Sequence, residues 1–376
     1  MADNKTSAPV RVLRVAIDAR LMYYRKAGIA QYTRRLTRAL AQTPAQSGVR
    51  ELAVIMDRRD RDIAWIPPGA RVLRAITPAH HRYEHIALPL ELARHSSRID
   101  VLHSPDFIST RGRFKKVITI HDLYFLEHAE VMSQQGKRYY ERMRWSAGNA
   151  DHIIAVSDFT RREIMRLLPD VPAQRVTVIH EAAANVQPVS ALETPAGSLR
   201  YVLFVGTFEP RKNLVTLLKA LKELPDDCKL MIVGESGWGA GQPGQVARQL
   251  GLQDRVTFAG RVSDAELDRY YRGARMLVMP SLSEGFGLPI LEAMARGVPV
   301  VCSNAGALPE VAGDAALLHD PLDATALARL IRVVWTNDVV RADYGRRGLQ
   351  RTQEFSWARA AQATWQVYQD TCASSS

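Results

Sequence analysis

Aliphatic and β-branched residues cluster in short runs along the whole chain, and longer segments with apolar residues at helical spacing separate these runs. Such alternation predicts parallel strands that are joined by crossover helices. In the first half the predicted strands are Val12–Asp18, Leu52–Met56, Val72–Ile76, Val101–His103, Val117–Ile120, Ile153–Val156 and Val176–Ile179. In the second half they are Tyr201–Gly206, Leu230–Val233, Val256–Phe258, Met276–Met279, Val298–Val301 and Ala316–Leu318.

Amphipathic segments between and after these runs predict helices. The clearest of them are Ile29–Ala41, Tyr83–Arg94, Gln135–Asn149, Asp323–Thr336 and Val339–Phe355. An Ala-, Pro- and Ser-rich stretch interrupts the alternation and is typical of a linker. We therefore predict a disordered tail (1–10), an N-terminal domain (11–183), the linker (184–199), a C-terminal domain (200–355) and a final helix (356–376) that packs back on the N-terminal domain.

Both domains are predicted to be α/β, each built on a Rossmann-like, doubly wound parallel sheet. Sheets of this kind bind ligands beyond the carboxyl ends of their strands. Two such domains joined by a linker leave a crevice between them, and crevices between domains are common ligand sites. We therefore expect the domains to face each other across a cleft that holds the functional site.

The composition is that of a globular protein with more than one core: 376 residues, of which 47% are apolar and 24% are charged. The chain contains no run of roughly eighteen apolar residues that could cross a bilayer. Its polar first residues lack the apolar segment of a signal peptide. Three widely spaced cysteines, Cys228, Cys302 and Cys372, fit a reducing compartment without disulfides or a metal cluster. The expected location is the cytoplasm.

Positive charge is concentrated in the first half of the chain. Residues 1–180 contain 30 Lys and Arg against 18 Asp and Glu, a net charge of +12, whereas the whole chain carries +11. A basic domain suits an anionic partner such as a lipid surface, a lipid-linked diphosphate or a nucleic acid. No helix-turn-helix, RNP-type or zinc-finger pattern supports nucleic acid. We therefore expect contact with the inner face of the cytoplasmic membrane or with a lipid-phosphate acceptor.

The most informative segment is Ser283-Glu284-Gly285-Phe286-Gly287-Leu288-Pro289-Ile290-Leu291-Glu292. Its proline suits the first turn of a helix, and its glycines let a ligand approach the backbone closely. The N–H groups at such a helix start attract an anion. Glu284 before the helix and Glu292 one turn inside it can each accept two hydrogen bonds from a vicinal diol. An anion site between two diol sites is what a nucleotide sugar requires.

A second candidate segment follows the first strand of the C-terminal domain. Gly206 ends that strand, and Arg211 and Lys212 stand at the predicted start of a helix. Cations are unfavourable there, because the helix dipole repels them. A bound phosphate removes the conflict, since arginine clamps it with two N–H groups and lysine adds a point charge. We predict that Arg211 and Lys212 bind a diphosphate.

Three further positions carry weaker patterns. Val262 lies in a capped turn between a strand and a helix, where a base could rest on the backbone. Gly28 opens a helix of the N-terminal domain, whose N–H groups could meet the diphosphate from across the cleft. His121 and Asp122 directly follow a predicted strand and place a titratable pair at its carboxyl end.

These segments together resemble a known family. Residues 206–214, 259–262 and 283–301 look like the large fourth family of retaining glycosyltransferases, which has the GT-B fold of two facing Rossmann-like domains. Asp18-Ala19-Arg20, Gly28-Ile29-Ala30-Gln31-Tyr32, His121-Asp122-Leu123 and Ala155-Val156-Ser157 are similar to its bacterial polysaccharide-assembly members. Many of those members are mannosyltransferases. The resemblance extends over nearly the whole chain from Arg11.

The resemblance implies a role for each candidate residue. Glu292 would hold the ribose hydroxyls and Glu284 the hexose. The backbone of Phe286, Gly287 and Leu288 would meet sugar and phosphate. Arg211 and Lys212 would hold the diphosphate, with Gly206 at the strand end, Val262 would meet the base, Gly28 a phosphate, and His121 the sugar near the reacting carbon. Many members have arginine directly after the strand-end glycine, whereas this chain has Thr207, so more of the phosphate charge would fall to Arg211 and Lys212.

The implied reaction is transfer of a hexose, with mannose from GDP-mannose favoured, to a saccharide hydroxyl in bacterial surface polysaccharide synthesis. It would retain the anomeric configuration and need no metal or other cofactor, and its acceptor would be a saccharide, such as a polyprenyl-diphosphate-linked one.

Other functions stay open. A UDP-glucose or UDP-N-acetylglucosamine transferase and a GT-B-fold sugar-nucleotide epimerase are the main alternatives. A metal-dependent transferase would use Asp60-Arg61-Asp62, and a dinucleotide dehydrogenase would use the glycines of residues 237–241. A basic scaffold without enzymatic activity would bind no nucleotide.

Overall fold

The computed structural model describes residues 12–24, 28–44, 49–81, 83–95, 98–128, 134–184, 200–235, 237 and 243–373. Its first sheet contains the strands β1 Val12–Asp18, β2 Val49–Asp57, β3 Arg71–Ala75, β4 Val101–Ser104, β5 Lys115–Ile120, β6 His152–Ala155 and β7 Val176–Val178. Its second sheet contains β8 Tyr201–Val205, β9 Lys229–Val233, β10 Val256–Gly260, β11 Met276–Met279, β12 Val300–Ser303 and β13 Ala316–His319.

The helices of the first half are α1 Ile29–Gln42, α2 Glu84–Ala93, α3 Tyr124–Glu127, α4 Gln134–Asn149 and α5 Asp158–Leu167. Those of the second half are α6 Leu214–Lys222, α7 Pro243–Gln249, α8 Asp264–Gly273, α9 Leu288–Met294, α10 Leu308–Ala312, α11 Ala324–Thr336, α12 Asp338–Thr352 and α13 Trp357–Ala373. Among the described residues, no helix combines the length and the hydropathy needed to cross a bilayer.

Both sheets are parallel throughout, with the strand orders β3-β2-β1-β4-β5-β6-β7 and β10-β9-β8-β11-β12-β13. The order reverses between β1 and β4 in the first sheet and between β8 and β11 in the second. At such a reversal the connections leave in opposite directions and open a crevice at the carboxyl ends. The predicted fold class of two doubly wound parallel-sheet units is confirmed.

Every predicted strand has a counterpart in the structure, and the differences lie at strand ends. The strand predicted from Val298 begins at Val300, because Pro299 has no N–H to give to a neighbouring strand. Its carbonyl still accepts a hydrogen bond from Leu277 N at 2.9 Å. The strand predicted from Leu52 begins earlier, at Val49, because Val49, Arg50 and Glu51 also pair with β1.

Helices cover both faces of each sheet, which explains why the strands are apolar without alternation. On β11, Leu277 packs with Ile290 of α9, whereas Val278 packs with Leu217 and the helix α11 on the opposite face. A strand sends successive side chains to opposite faces, so both must find an apolar partner. The continuous hydrophobic runs in the sequence are the consequence.

The last helix returns to the first sheet. On α13, the Trp365 indole N–H donates to the Leu40 carbonyl at 3.1 Å, and Tyr368 Oη lies 2.6 Å from His103 Nδ1. Trp365 and Tyr368 are buried together with residues of α1 and β1. The final helix therefore ties the end of the chain to the N-terminal sheet.

The two halves touch where α5 begins. Ser157 Oγ and Thr160 Oγ1 both donate to the carbonyl of Gly285, at 2.6 and 3.0 Å. Glu310 of α10 accepts hydrogen bonds from the backbone N–H groups of Asp158 and Phe159, at 2.8 and 3.0 Å. A carboxylate at a helix start is favourable, because the helix dipole is positive there. This contact holds the carboxyl ends of the two sheets against one another.

Candidate active site

A buried ion pair lies at the centre of the cleft. Lys212 Nζ is 2.7 Å from Glu284 Oε1 and 2.9 Å from Glu284 Oε2, and both residues are largely buried. Ser281 Oγ donates to Glu284 Oε1 at 2.7 Å. Lys212 ends a single 3₁₀ turn after β8, and Asn213 follows it in the left-handed conformation before α6 begins. Local backbone geometry thus points the lysine into the cleft rather than along α6.

Arg211 completes this cluster. Its Nε donates to Glu209 at 2.8 Å, and its NH1 donates to Glu284 Oε2 at 3.2 Å. The carbonyl of Arg211 also accepts a hydrogen bond from Leu282 N at 2.7 Å, which fixes the spacing between the two segments. The structure thus brings the predicted site residues Arg211, Lys212 and Glu284 together in one cluster.

The electrostatics of the cluster follow from burial and mutual pairing. Burial alone would raise the pKa of Glu284, but the charges of Lys212 and Arg211 outweigh it and hold that pKa below its ordinary value. Burial, followed by the charge of Arg211, lowers the pKa of Lys212. Burial opposes the charge of Arg211 too, yet Glu284, Asp122 and Glu209 raise its pKa. Glu284 is therefore an ionised carboxylate at neutral pH.

The first half of the chain meets this cluster at the end of β5. A Cβ atom on Gly285 would lie 1.7 Å from the His121 carbonyl oxygen and 3.0 Å from Asp122 Cβ, so only glycine fits. Asp122 is also close enough to Arg211 to raise the pKa of that guanidinium. The structure thus brings His121 and Asp122 to the cluster from across the cleft.

His121 is held by two acceptors. Its Nδ1 lies 2.9 Å from Glu181 Oε1, and its Nε2 lies 3.0 Å from the Pro105 carbonyl. Burial lowers the pKa of His121, but the hydrogen bond and charge of Glu181 raise it more, so the net shift is upward. A carbonyl and a carboxylate can only accept, so the imidazolium form, which donates from both nitrogens, satisfies both contacts. Tyr32 packs edge-on against this ring, with ring centroids 4.8 Å apart.

Glu292 is linked to the opposite domain. Its Oε1 accepts a hydrogen bond from Arg35 NH2 at 3.1 Å, and its Oε2 accepts one from the Tyr271 hydroxyl at 3.1 Å. Arg35 lies on α1, two turns after Gly28, which is the N-terminal cap of that helix. Since each carboxylate oxygen has two lone pairs, Glu292 can still accept hydroxyl groups beside these partners.

The glycine-rich turn before α9 has the predicted form. Gly287 caps the helix with φ of 96°, a conformation that favours glycine, and α9 starts at Leu288 with Pro289 in its first turn. Phe286 is buried and packs against Phe355, with ring centroids 6.0 Å apart. Pro289 has no N–H, and the next N–H donates to the Gly287 carbonyl at 3.0 Å, so an anion at this turn would meet the N–H groups of Gly287 and Leu288.

The remaining predicted positions are Gly206, Val262 and Gly28, and only Gly206 contacts Lys212 among the contacts that the structure describes. A Cβ on Gly206 would lie 3.9 Å from Cδ and Cε of Lys212, so this glycine is beside the methylene chain that carries the ammonium group. Val262 is partly buried in the second half, next to the capping box formed by Ser263 and α8. Gly28 has a positive φ of 51° and open space around it.

Four residues of the cleft were not predicted from the sequence as part of the site: Arg35, Glu181, Tyr271 and Ser281. Each acts on a predicted residue by hydrogen bonding or pairing. Arg35 is one of many basic residues of the first half, and Glu181 and Tyr271 lie in no local motif. Their sequence separation from their partners ranges from 3 to 257 positions. Only Ser281 lies close enough in sequence to its partner, Glu284, for the motif around Glu284 to indicate it.

Possible metal ligands come together at one place among the described residues, where Asp158, His180 and Glu310 lie within 4.8 Å of one another. Both oxygens of Glu310 already accept hydrogen bonds, from the start of α5 and from His180 at 2.8 Å. The Asp60–Asp62 segment lies in an exposed loop after β2, where Asp60 accepts from the Asp62 N–H at 3.0 Å. Neither group adjoins Lys212 in the contacts that the structure describes.

Two facing Rossmann-like units with this cluster in their cleft define the GT-B class of fold. Residues 27–182 match the family described as "Glycosyltransferase Family 4", and residues 193–351 match "Glycosyl transferases group 1". O-antigen chain mannosyltransferase B of Escherichia coli is 36% identical over an alignment of 282 residues that covers 71% of this chain and 74% of that protein. The phosphatidyl-myo-inositol mannosyltransferase of Mycobacterium leprae is 34% identical over an alignment of 234 residues that covers 59% of this chain and 60% of that protein.

Solved structures agree on the fold. Sucrose-phosphate synthase from Thermosynechococcus elongatus has a TM-score of 0.77 at 24% identity and covers 96% of this chain and 100% of that chain. HepE from Anabaena, in complex with UDP and glucose, has a TM-score of 0.72 at 18% identity, covering 94% and 98%. The chain belongs to the large fourth family of GT-B glycosyltransferases, as its sequence motifs predict.

Proposed function

We propose that the protein transfers mannose from GDP-mannose to a hydroxyl group of a saccharide acceptor, with retention of the anomeric configuration and without a metal ion. The observation that carries this proposal is the buried cluster of Lys212, Arg211 and Glu284. It lies against the His121–Asp122 turn of the opposite half. Two cations and a carboxylate at the carboxyl ends of two facing sheets suit a diphosphate next to a hexose.

The reaction mainly requires stabilisation of the negative charge that develops on the leaving diphosphate. When the bond between the anomeric carbon and the phosphate oxygen breaks, its electrons stay on the diphosphate. Lys212 and Arg211 stabilise that charge in a buried site, where electrostatic interactions are stronger than in water. In this structure Lys212 binds Glu284. When the donor binds, the ammonium group contacts phosphate oxygens instead, and the carboxylate accepts hydrogen bonds from hexose hydroxyls.

Retention follows in this proposal from attack on the face that the diphosphate leaves. The acceptor oxygen forms the new bond to the anomeric carbon, and the acceptor proton passes to the departing phosphate. No side chain then has to act as a nucleophile. Glu284 serves as a ligand for the hexose, and its hydrogen bonds with Arg211 and Ser281 orient the carboxylate.

Support for mannose comes from the two related proteins that are named mannosyltransferases. A UDP-sugar is the second candidate, because HepE, whose fold is similar, binds UDP-glucose. In this proposal Val262 meets the base mostly through its backbone, and such a contact favours neither base strongly. The choice between GDP and UDP therefore needs a direct measurement.

A binding and activity experiment tests this proposal. Thermal unfolding is recorded with GDP, UDP and ADP, because a ligand at a hundredfold over its Kd stabilises the fold by about 2.7 kcal/mol. GDP is expected to raise the Tm most. Transfer from GDP-mannose is then followed with and without EDTA, and NMR of the product reports its anomeric configuration. An inverted product, a requirement for a divalent metal, or stabilisation by UDP alone would each remove the corresponding part of the proposal.

The acceptor is proposed to be lipid-linked, with the enzyme held at the cytoplasmic face of the membrane. On α2 and its cap, Tyr83, Ile86 and Leu90 are 51%, 53% and 72% exposed and lie on one face at helical spacing. We call these three side chains the α2 apolar face. An exposed apolar strip on a strongly basic domain is the combination that anionic lipid surfaces bind.

Vesicle binding tests this part. The protein is sedimented with vesicles of phosphatidylglycerol and phosphatidylcholine, and with vesicles of phosphatidylcholine alone. Binding is expected only with the anionic lipid and is expected to fall in an Ile86→Asp/Leu90→Asp variant. Val339→Asp is the matched control, because Val339 is 79% exposed on α12 in the other half. Equal loss of binding in both variants would contradict a specific role for the α2 apolar face.

A further inference from the structure

A second cavity, separate from the Lys212 cluster, lies in the first half of the chain. Its volume is about 260 Å³. It is enclosed by α2, by α4 and by the segment that follows β4, and its lining includes His85, Ile108, Ser109, Arg111, Arg142 and Trp145. We call it the α2–α4 pocket. The segment after β4 leaves the carboxyl end of a strand, so the pocket opens at the same edge of the sheet as the cleft.

The pocket contains a buried polar group without a partner. Ser109 is 2% exposed, and among the described residues its hydroxyl makes no hydrogen bond. Its backbone is fixed all the same, because Ser109 N donates to Ser146 Oγ at 3.1 Å. Buried hydroxyl groups are normally paired, and an unpaired one in a cavity wall marks a place for a ligand's hydrogen-bonding group.

The other lining residues describe the ligand. Trp145 is a lining residue that is partly exposed, and an indole ring suits the apolar face of a sugar. Arg142 uses one N–H to bind the His81 carbonyl at 3.2 Å and keeps other donors, and Arg111 is exposed beside it. The one acidic residue of the lining, Glu84, is already paired with the buried Arg20 at 2.5 Å. The pocket therefore carries two positive charges and suits a sugar that bears a phosphate.

The position of the pocket fits an acceptor. The Pro105 carbonyl binds His121 in the cleft, and the same segment reaches the pocket at Ile108 and Ser109. Four residues of chain span at most about 13 Å, the length of two or three sugar units. On the other side, α2 carries the exposed side chains Ile86 and Leu90 next to His85 of the lining. The pocket thus lies between the proposed membrane-binding surface and the reacting carbon.

We propose that the α2–α4 pocket binds the phosphate-bearing sugar of the acceptor, at the end of the glycan nearest the lipid. This inference rests on the proposed transfer function. Arg111 and Arg142 bind the phosphate, the Trp145 ring stacks on the sugar, and Ser109 pairs with one of its hydroxyl groups. The far end of the glycan then reaches the cleft beside His121.

The direct test is ligand-detected NMR with the donor site saturated by GDP or UDP, whichever stabilises the protein. The probes are mannose 1-phosphate, methyl mannoside and inorganic phosphate. Mannose 1-phosphate is expected to bind at least about tenfold more tightly than either fragment, because charge-assisted contacts and stacking then act together. Inorganic phosphate binding as tightly as the sugar phosphate would overturn the proposal.

Variants connect the binding to these residues. Arg111→Gln/Arg142→Gln is expected to weaken mannose 1-phosphate at least about tenfold, and Ser109→Ala severalfold, whereas Arg329→Gln on α11 is the matched control without effect. Ser109→Ala removes only one hydroxyl and so guards against loss of folding in the double variant. Unchanged binding in both would overturn the pocket assignment.

Kinetics separate this proposal from the proposed function. The same variants should raise KM for a phosphate-bearing acceptor and leave KM for the donor unchanged. Normal donor binding and normal acceptor KM would end the pocket proposal alone. Absence of nucleotide binding and of transfer in the unmodified protein would end the proposed function, and the pocket proposal with it.

Discussion

Replacing Lys212 by methionine is the sharpest test of the site, because it changes one charge at the centre of the cleft. In the structure the ammonium group contacts both oxygens of Glu284, at 2.7 and 2.9 Å. Methionine keeps the bulk of the side chain and removes its charge. Glu284 would then remain buried with Arg211 at 3.2 Å and Ser281 at 2.7 Å as its partners.

The expected loss of stability follows from these contacts. Removing one partner of a buried ion pair costs about 3 to 5 kcal/mol when nothing else compensates the remaining charge. Arg211 and Ser281 still face Glu284, so we expect the free energy of unfolding to fall by about 2 to 3 kcal/mol. Turnover should fall by two to three orders of magnitude, roughly the effect of losing one preorganised group that stabilises developing charge.

A double variant separates the two effects. In Lys212→Met/Glu284→Gln both charges are gone, so the stability should return to within about 1 kcal/mol of the unmodified protein. Turnover should stay low, because the cation beside the leaving diphosphate is still missing. Lys219→Met on α6 is the matched control, since this exposed lysine lies outside the cleft. We expect it to change neither quantity.

The measurements are urea unfolding and initial rates with saturating donor. Turnover of Lys212→Met within about threefold of the unmodified protein would refute the leaving-group role, since such a change is under 1 kcal/mol. A double variant no more stable than the single one would refute the claim that the unpaired Glu284 charge causes the instability.

Folding lowers the pKa of Glu284. The ion pair therefore stabilises the fold fully above the ordinary carboxyl pKa of 4.5, and this stabilisation is lost as the pH falls through the lowered pKa.

Three further predictions follow from single contacts. Glu181→Gln should destabilise the fold chiefly below about pH 6.5, where the pairing of His121 with Glu181 stabilises the fold fully. That stabilisation is lost as the pH rises through the raised pKa of His121, and urea unfolding between pH 5 and 9 measures it. Gly285→Ala should lower turnover at least about tenfold by pushing the two halves apart, whereas Gly148→Ala, with open space around its site, should be neutral in the same rate assay. Glu310→Gln should weaken the contact with the start of α5 and cost about 1 kcal/mol, and an unchanged unfolding midpoint would argue against that contact.

The sequence by itself determined the architecture. Uninterrupted apolar runs specified strands buried on both faces, so the number of strands and their positions along the chain could be predicted, except at ends such as Val300, where Pro299 delays the start of the strand. Local motifs also specified the turn at Gly287 and the cation pair Arg211–Lys212, because such turns depend on a few neighbouring residues. These features depend on interactions between residues that are close in sequence, so the sequence pattern indicates them directly.

Only the tertiary structure decided what these residues face. Lys212 and Glu284 are 72 positions apart, and Arg35 and Glu292 are 257 apart, so their pairing depends on how the sheets and the two halves are placed. The contact of Gly285 with the His121 carbonyl and the α2–α4 pocket likewise have no local signal. A charge on a side chain is visible in the sequence, but its pKa and its partner depend on burial and on distant segments that only folding brings together.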